Sequence, residues 1–279
     1  MDKQTQTRMA ESFRGMHERS RRLLLPNAWD AMSARLFEQA GFDAIATTSA
    51  GVAWALGYAD GEQVPRAEML AATARIVRVV GVPVTADIEA GFGDTPEALA
   101  ATITEVIRTG VAGINLEDGT HRLDSPIRDT ADAAARIEVA RAAARTAGVP
   151  IVINARTDLY LRRIGSEAQR FEACVERAKA YFASGAACSY PNGLADLDTI
   201  ARLVKALDAP LNINLLAGGP SAAEFHRAGA VRVSSATGPV CAVMGSMRRI
   251  AAGLREAGRV DAPAGALTHA DAQKLFTGG

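Results

Sequence analysis

The chain has 279 residues, and its 31 basic and 31 acidic side chains cancel. A balanced charge argues against nucleic acid or an anionic membrane surface as the main partner, because both select a basic face. No apolar run approaches the roughly 18 residues of a membrane span. The start, MDKQTQTRMAESFRGMHERSRR, is too polar for a signal peptide, and three cysteines build neither a disulfide framework nor a metal cluster. A soluble, cytoplasmic protein is expected.

The positive charge is nearly all arginine. The lysines are Lys3, Lys179, Lys205 and Lys274. Lys179 and Lys205 fall in helix-like stretches, and none lies at a strand end. Chemistry through a lysine Schiff base or pyridoxal phosphate needs a lysine in the site, so both are excluded. A Walker loop and a GxGxxG turn are also missing from the sequence.

In chain order, an amphipathic helix over 7–20 comes first. Short apolar runs of strand length then alternate with Ala-rich helical segments. The strands are read at 22–26, 43–48, 82–87, 112–117, 150–155, 186–190, 209–215 and 230–235. The helices are read at 31–40, 66–80, 96–109, 131–147, 167–184, 195–207, 220–228 and 238–257. Glycines 41, 81, 110, 148, 185 and 229 close most of the helices, as left-handed stop positions do. Eight strand–helix repeats of about 29 residues predict an α/β fold, a closed (β/α)8 TIM-type barrel. An open doubly wound sheet would carry a glycine-rich turn after its first strand, where PNAWD stands instead. One domain is expected over 1–279, with an N-terminal helix in 1–20, the barrel in 21–257 and a tail in 258–279.

A barrel builds its site at the C-terminal strand ends. The residues there include Ser49, Ala50 and Gly51, with Asp60 just beyond. Asp87 and Glu89 follow the third strand, and Glu117, Asp118 and His121 the fourth. Arg156 and Asp158 follow the fifth, Tyr190 and Asn192 the sixth, and Asn212 the seventh. So many carboxylates at one mouth need cationic compensation. Arg156 supplies one charge, and a hard divalent cation suits the rest. Mg²⁺ takes one or two carboxylates and keeps several waters. Asp87, Glu89, Glu117 and Asp60 fit that pattern, and the lack of a histidine pair argues against zinc. His17, His226 and His269 read as surface helix residues, Cys174 and Cys241 as helix packing, and Cys188 as barrel core. Trp29 and Trp54 also read as packing, and Asp30 as a helix N-cap.

The segments NAWDAMSARLFEQAGFDAIATTSAG, LGYADG, VTADIEAGFG, GINLEDG and INARTD occur in that order. In this combination the chain resembles the isocitrate lyase/phosphoenolpyruvate mutase superfamily over about residues 20–255. The resemblance implies a (β/α)8 barrel, usually a homotetramer whose last helix is swapped onto a neighbour. It implies Mg²⁺, with Mn²⁺ as a substitute, and a small 2-oxo or 2-hydroxy acid. Carried over by motif, Asp87 is the direct metal ligand, and Asp60, Glu89 and Glu117 are the outer carboxylates. Ser49, Ala50 and Gly51 contact the substrate through backbone groups, and Arg156 holds its carboxylate. Asn212 is taken as a further substrate contact.

Departures narrow the expected activity. The isocitrate-cleaving members carry a Lys-Lys-Cys-Gly-His loop after the fourth strand, whereas GTHRLDSPIRD stands here. The Lys and Asn of the mutase loop are missing too. What remains is the branch resembling oxaloacetate decarboxylases and dimethylmalate lyases. The expected function is a Mg-dependent lyase or decarboxylase that cleaves a C–C bond through a metal-stabilised enolate. Asp60, Arg156 and His121 are its expected catalytic residues. The alternatives are a C–P enzyme, whose cationic loop partners would be Arg122 and Arg128, and a non-catalytic metabolite binder. Residues 119–130 are expected to form a mobile gate.

Overall fold

Pro26 has no N–H to give to a strand ladder, and it divides the first strand in two. In the computed structural model, which describes residues 1–120, 122–260 and 265–277, these halves are β1 (Leu23–Leu25) and β2 (Asn27–Ala28). The preceding helix, α1, spans Lys3–Gly15, several residues earlier than the predicted 7–20. Asp2 caps it by accepting from the Thr5 N–H, an N-cap that the polar N-terminus hid from pattern reading.

β2 pairs in parallel with β3 (Ile45–Thr47), and the ladder continues through β4 (Val84–Asp87), β5 (Gly113–Glu117), β6 (Val152–Thr157) and β7 (Cys188–Pro191). β8 (Asn212–Asn214) pairs with β9 (Arg232–Ser234), and β9 pairs with β1. A parallel bridge between Ser189 and Leu211 joins β7 to β8. With β1 and β2 as one stave, the eight staves form the ring of a (β/α)8 barrel.

The helices between the strands are α2 (Ala31–Gln39), α3 (Ser49–Leu56), α4 (Arg66–Arg78), α5 (Pro96–Arg108), α6 (Thr130–Ala147), α7 (Glu167–Ser184), α8 (Leu197–Leu207) and α9 (Ala222–Arg227). α10 (Gly238–Ala257) and α11 (His269–Thr277) follow the last strand. Two of these escape sequence periodicity. α3 reads SAGVAWAL and is apolar nearly all round, so it has no polar face to mark it. α11 lies in the stretch read as a tail, and it docks through buried Leu275, whose carbonyl accepts from Arg35 Nε (2.7 Å). Caps stop and start the rest. Asp30 and Ser33 form a capping box, and Thr95, Asp129, Ser166, Asp196 and Ser221 also cap, each typically worth about 1 kcal/mol.

The base of the barrel is plugged by α1. Phe13 enters beside Gly113, where a Cβ would stand 2.9 Å from the Phe13 ring and 2.8 Å from the Val152 carbonyl. His17, read as a surface helix residue, is instead buried under the barrel after the end of α1, and its ring packs edge-on against Phe13. Cys241 and Trp54 also differ from expectation. Cys241 is exposed on α10 and Trp54 is partly exposed. Cys174, Cys188 and Trp29 are buried as expected. Among the described residues, no helix is long and apolar enough to cross a membrane.

Candidate active site

The acidic residues converge at the C-terminal end of the ring. Alternation along β5 points Asn115 and Glu117 to one side and Asp118 to the other. Register aligns Asp87 with Asn115, and Glu117 with Arg156 and then Tyr190. Three adjacent strands thus bring Asp87, Glu117 and Arg156 to one mouth.

Asp87 is fixed on one side. Its Oδ2 accepts from the Ser49 hydroxyl (2.9 Å) and the Ser49 N–H (3.4 Å), and its own N–H donates to Thr47 Oγ1 (2.8 Å). These donors come from the first turn of α3, whose N-terminal dipole favours an anion there. Asp87 Oδ1 is buried and has no hydrogen-bond partner. Ser49 therefore serves Asp87 through both its groups, and the Gly51 N–H is taken by its own N-cap, Thr48 Oγ1 (3.4 Å). Ala50 is buried in the same turn.

Glu89 sits beside Asp87 with a left-handed backbone (φ 51°). Such a conformation is uncommon outside glycine and is often kept for function. Its Oε2 accepts from the Glu62 N–H (2.7 Å), and its buried Oε1 has no partner. Burial, then the charges of Asp87 and Asp60, push its carboxyl up from the usual 4.5 to about 8. Asp60 itself is exposed on the loop before α4.

Arg156 ties the mouth together. Its Nη1 pairs with Glu117 (2.6 Å), while Nε and Nη2 fork onto Asp158 (2.8 and 3.2 Å). Burial pushes the Glu117 carboxyl well up, against the opposing pull of Arg156. Burial would weaken the Arg156 cation, but Glu117 and Asp158 outweigh it and raise its affinity for its proton. Asp158, a member of the predicted strand-end set but not of the predicted site, is buried and also meets Arg162 (3.4 Å) and Asn192 Nδ2 (3.5 Å). Tyr190 completes this corner, its hydroxyl donating to Asn192 Oδ1 (3.0 Å).

Two expected contacts lie elsewhere. Asn212 is buried on β8, four staves from β4, where its Nδ2 donates to Ser234 Oγ (3.5 Å). It belongs to the barrel interior rather than to the Asp87–Arg156 group. His121 lies outside the described residues. The segment around it is more firmly anchored than its polar sequence suggests. Gly119 bridges Ile127, and the Thr120 N–H donates to the Pro126 carbonyl (3.0 Å). Outward-facing Asp118 holds the base of this loop. It accepts from Arg177 (3.0 Å), Tyr181 (2.9 Å) and the Asp158 N–H (2.9 Å), while Arg177 also bonds the Arg128 carbonyl (2.8 Å). The ends of the 119–130 segment are thus pinned by a buried network that only tertiary contacts create.

A divalent cation fits these residues. Asp87 Oδ1 and Glu89 Oε1 are buried acceptors without donors, and a cation beside them would supply the missing partner and offset the crowding of carboxylates that raises Glu89. Among the described residues, no three His, Cys, Asp or Glu side chains form a ready-made cage.

The raised Glu89 carboxyl has a stability consequence in metal-free protein. The unfolded group ionises near 4.5 while the folded one keeps its proton to about 8. The unfolded state then binds fewer protons, so stability falls as pH rises through that interval, by about 1.4 kcal/mol per unit of pKa difference. Thermal melts in chelator should show this loss between pH 5 and 8, and Glu89→Gln should make the slope shallower, with Glu117 still contributing. An equal slope in the variant would show that Glu89 is not the source.

Known proteins place this geometry in a family. The phosphoenolpyruvate phosphomutase family model matches residues 13–255. A 2-methylisocitrate lyase of Shewanella oneidensis is 32% identical over 210 residues, covering 73% of this chain and 69% of that protein. A Burkholderia cenocepacia structure, described provisionally as a lyase/mutase, superposes with TM-score 0.90 at 36% identity, covering 98% of this chain and 97% of its own. The 2,3-dimethylmalate lyase structure, of the PEP mutase/isocitrate lyase superfamily, superposes with TM-score 0.85 at 28% identity, covering 96% and 94%. The match of the family model across most of the barrel, with the same fold in these structures, makes this chain an enzyme of the phosphoenolpyruvate phosphomutase family, within the PEP mutase/isocitrate lyase superfamily.

Proposed function

We propose that the protein is a Mg²⁺-dependent lyase or decarboxylase that cleaves the C–C bond of a small 2-oxo or 2-hydroxy carboxylic acid. The observation that carries this reading is the pair of orphaned oxygens, Asp87 Oδ1 and Glu89 Oε1, at the mouth where Arg156 pairs with Glu117. When bound, Mg²⁺ supplies Lewis-acid polarisation of the substrate's carbonyl. Asp87 would be the direct ligand, and Glu89, Glu117 and Asp60 would be the outer carboxylates around the ion. Ser49 fixes Oδ2 of Asp87, so the opposite oxygen is left to face the cation. Arg156 has three nitrogens aimed at carboxylates already, and a substrate carboxylate finds the same planar fork. The 2,3-dimethylmalate and 2-methylisocitrate lyases are both C–C lyases on hydroxy acids, which supports this class of substrate.

Carbon–phosphorus chemistry is less well served. Of the two cations in the strand-end loop, Arg128 is neutralised by Asp94 and Asp132 (3.0 Å to the latter). Of that pair, Arg122 is the one left for a phosphoryl group. Incubation with oxaloacetate, 2,3-dimethylmalate, methylisocitrate and phosphonopyruvate in Mg²⁺, with products identified by mass, tests the reading. C–C cleavage of at least one of the first three, lost on chelation, is the expected result. Turnover of phosphonopyruvate alone, or of nothing, refutes it.

We also propose a homotetramer. α10 buries Val240 but leaves Val243, Met244, Met247 and Leu254 exposed, and the first three of these border, with Trp29 and Trp54, a cavity of about 490 Å³. An apolar helix face of this kind seeks a partner. Sedimentation at micromolar concentration should give a tetramer, and a monomer would refute it.

A further inference from the structure

One cation inside the barrel has no counterion at contact. Arg232 on β9 is fully buried, and among the described residues no carboxylate lies within ion-pair distance of it. In the ring, β9 stands opposite β5, and the side chain crosses the bore. Its Nη2 donates to Asn115 Oδ1 (3.0 Å), which also accepts from Asn154 Nδ2 (2.8 Å). Its Nη1 donates to His17 Nε2 (3.4 Å), and its Nε is buried without a partner. The guanidinium lies 5.9 Å above the Phe13 ring.

The lower neighbours cannot balance the charge. His17 is held neutral: burial, then Arg232 itself, pulls it down to about 3, and its Nδ1 faces the Phe13 carbonyl (2.8 Å). Nδ1 is therefore the protonated nitrogen, and Nε2 is the acceptor. Burial lowers Arg232 to about 10, so it stays charged at neutral pH. A buried charge without a partner is costly and calls for compensation. The carboxylate whose field bears on it is Asp87, and Asp87 is in register with Asn115, the residue that holds the guanidinium. The counterion is thus the acidic mouth, reached through one polar layer.

We propose that Arg232 is a positioning residue whose fixed charge, held across the barrel on Asn115, tunes the site toward anions: it strengthens binding of a dianionic 2-oxo acid and weakens binding of the cation. The mouth gathers Asp60, Asp87, Glu89, Glu117 and Asp158, with Arg156 and Arg162 in contact. Without a further positive charge, that set would hold Mg²⁺ tightly and repel an anionic substrate. The opposite signs of the two effects separate this role from a merely structural one, which would weaken both. The inference rests on the function proposed above.

The test is calorimetric titration of Mg²⁺, and of oxalate with and without Mg²⁺, into wild type, Arg232→Gln and Arg232→Lys. Oxalate presents the paired anionic oxygens of a 2-oxo acid enolate. Arg232→Gln is expected to bind Mg²⁺ about threefold or more tighter and oxalate on the order of tenfold weaker. Arg232→Lys keeps the charge and should stay within about twofold of wild type for both. Unchanged affinities in Arg232→Gln, or a shift of both in the same direction, would overturn the proposal. If Arg232→Gln does not melt cooperatively, Arg232→Lys decides: a tenfold loss of oxalate affinity with the charge retained overturns it, and wild-type affinity supports it. Wild-type protein that binds both ligands but turns nothing over refutes the proposed reaction and leaves the comparison intact. Wild-type protein that binds neither refutes both.

Discussion

Asp87→Asn is expected to cost at least about 100-fold in Mg²⁺ affinity, beyond the range usual for residues that only support a ligand. The substitution keeps the shape of the side chain. The Ser49 hydroxyl and N–H, which bond Oδ2 (2.9 and 3.4 Å), still find an acceptor in the amide oxygen. The other end becomes an NH2 group, which presents protons where Asp87 Oδ1 presents an unpaired anionic oxygen. A donor facing a hard cation cannot ligate it. Turnover should fall with metal affinity, while the fold should hold, because repulsion among Asp87, Glu89 and Glu117 is relieved. Titration calorimetry with Mg²⁺ and a thermal melt in chelator separate the two. Unchanged metal affinity would remove Asp87 from the ligand set.

Arg156→Gln is expected to lower kcat/KM on the order of 10²–10³-fold and to destabilise the protein by about 3–5 kcal/mol. Arg156 is the cation that lets Glu117 and Asp158 share one mouth, at 2.6 and 2.8 Å. Removing it leaves two buried carboxylates facing each other. One responds by taking up a proton, which moderates the loss of stability at low pH. The double variant Arg156→Gln with Glu117→Gln should regain much of the stability and none of the activity. That non-additivity is what a direct pair produces. If both losses recover together, Arg156 acts only as a structural partner of Glu117. If neither recovers, the Asp158 arm of the fork dominates.

The sequence by itself determined the barrel. Apolar runs alternating with capped helices specify strands buried on both faces, and parallel strands joined by helices close in one hand. It also placed Asp87, Glu117 and Arg156 at one end, because a strand's last residues must lie at the site face of such a barrel. Its stop signals at Gly148 and Gly185 are the left-handed caps of α6 and α7.

Tertiary structure decided what those residues touch. Local pattern carries period and end signals, but partners such as Ser49 on α3 and Asp87 on β4 come from different elements and are 38 residues apart. The burial that raises Glu89, and the network of Asp118, Arg177 and Tyr181 that pins the strand-end loop, also depend on elements distant in the chain. His17 shows the same limit from the other side. Its polar neighbours read as surface, yet Phe13 draws it under the barrel, where Gly113 leaves the space. Arg232 is the furthest case. Nothing in AVRVSS marks its arginine as the one that crosses the bore. Only the closed ring sets β9 opposite β5 and brings that charge to Asn115, beneath the acidic mouth.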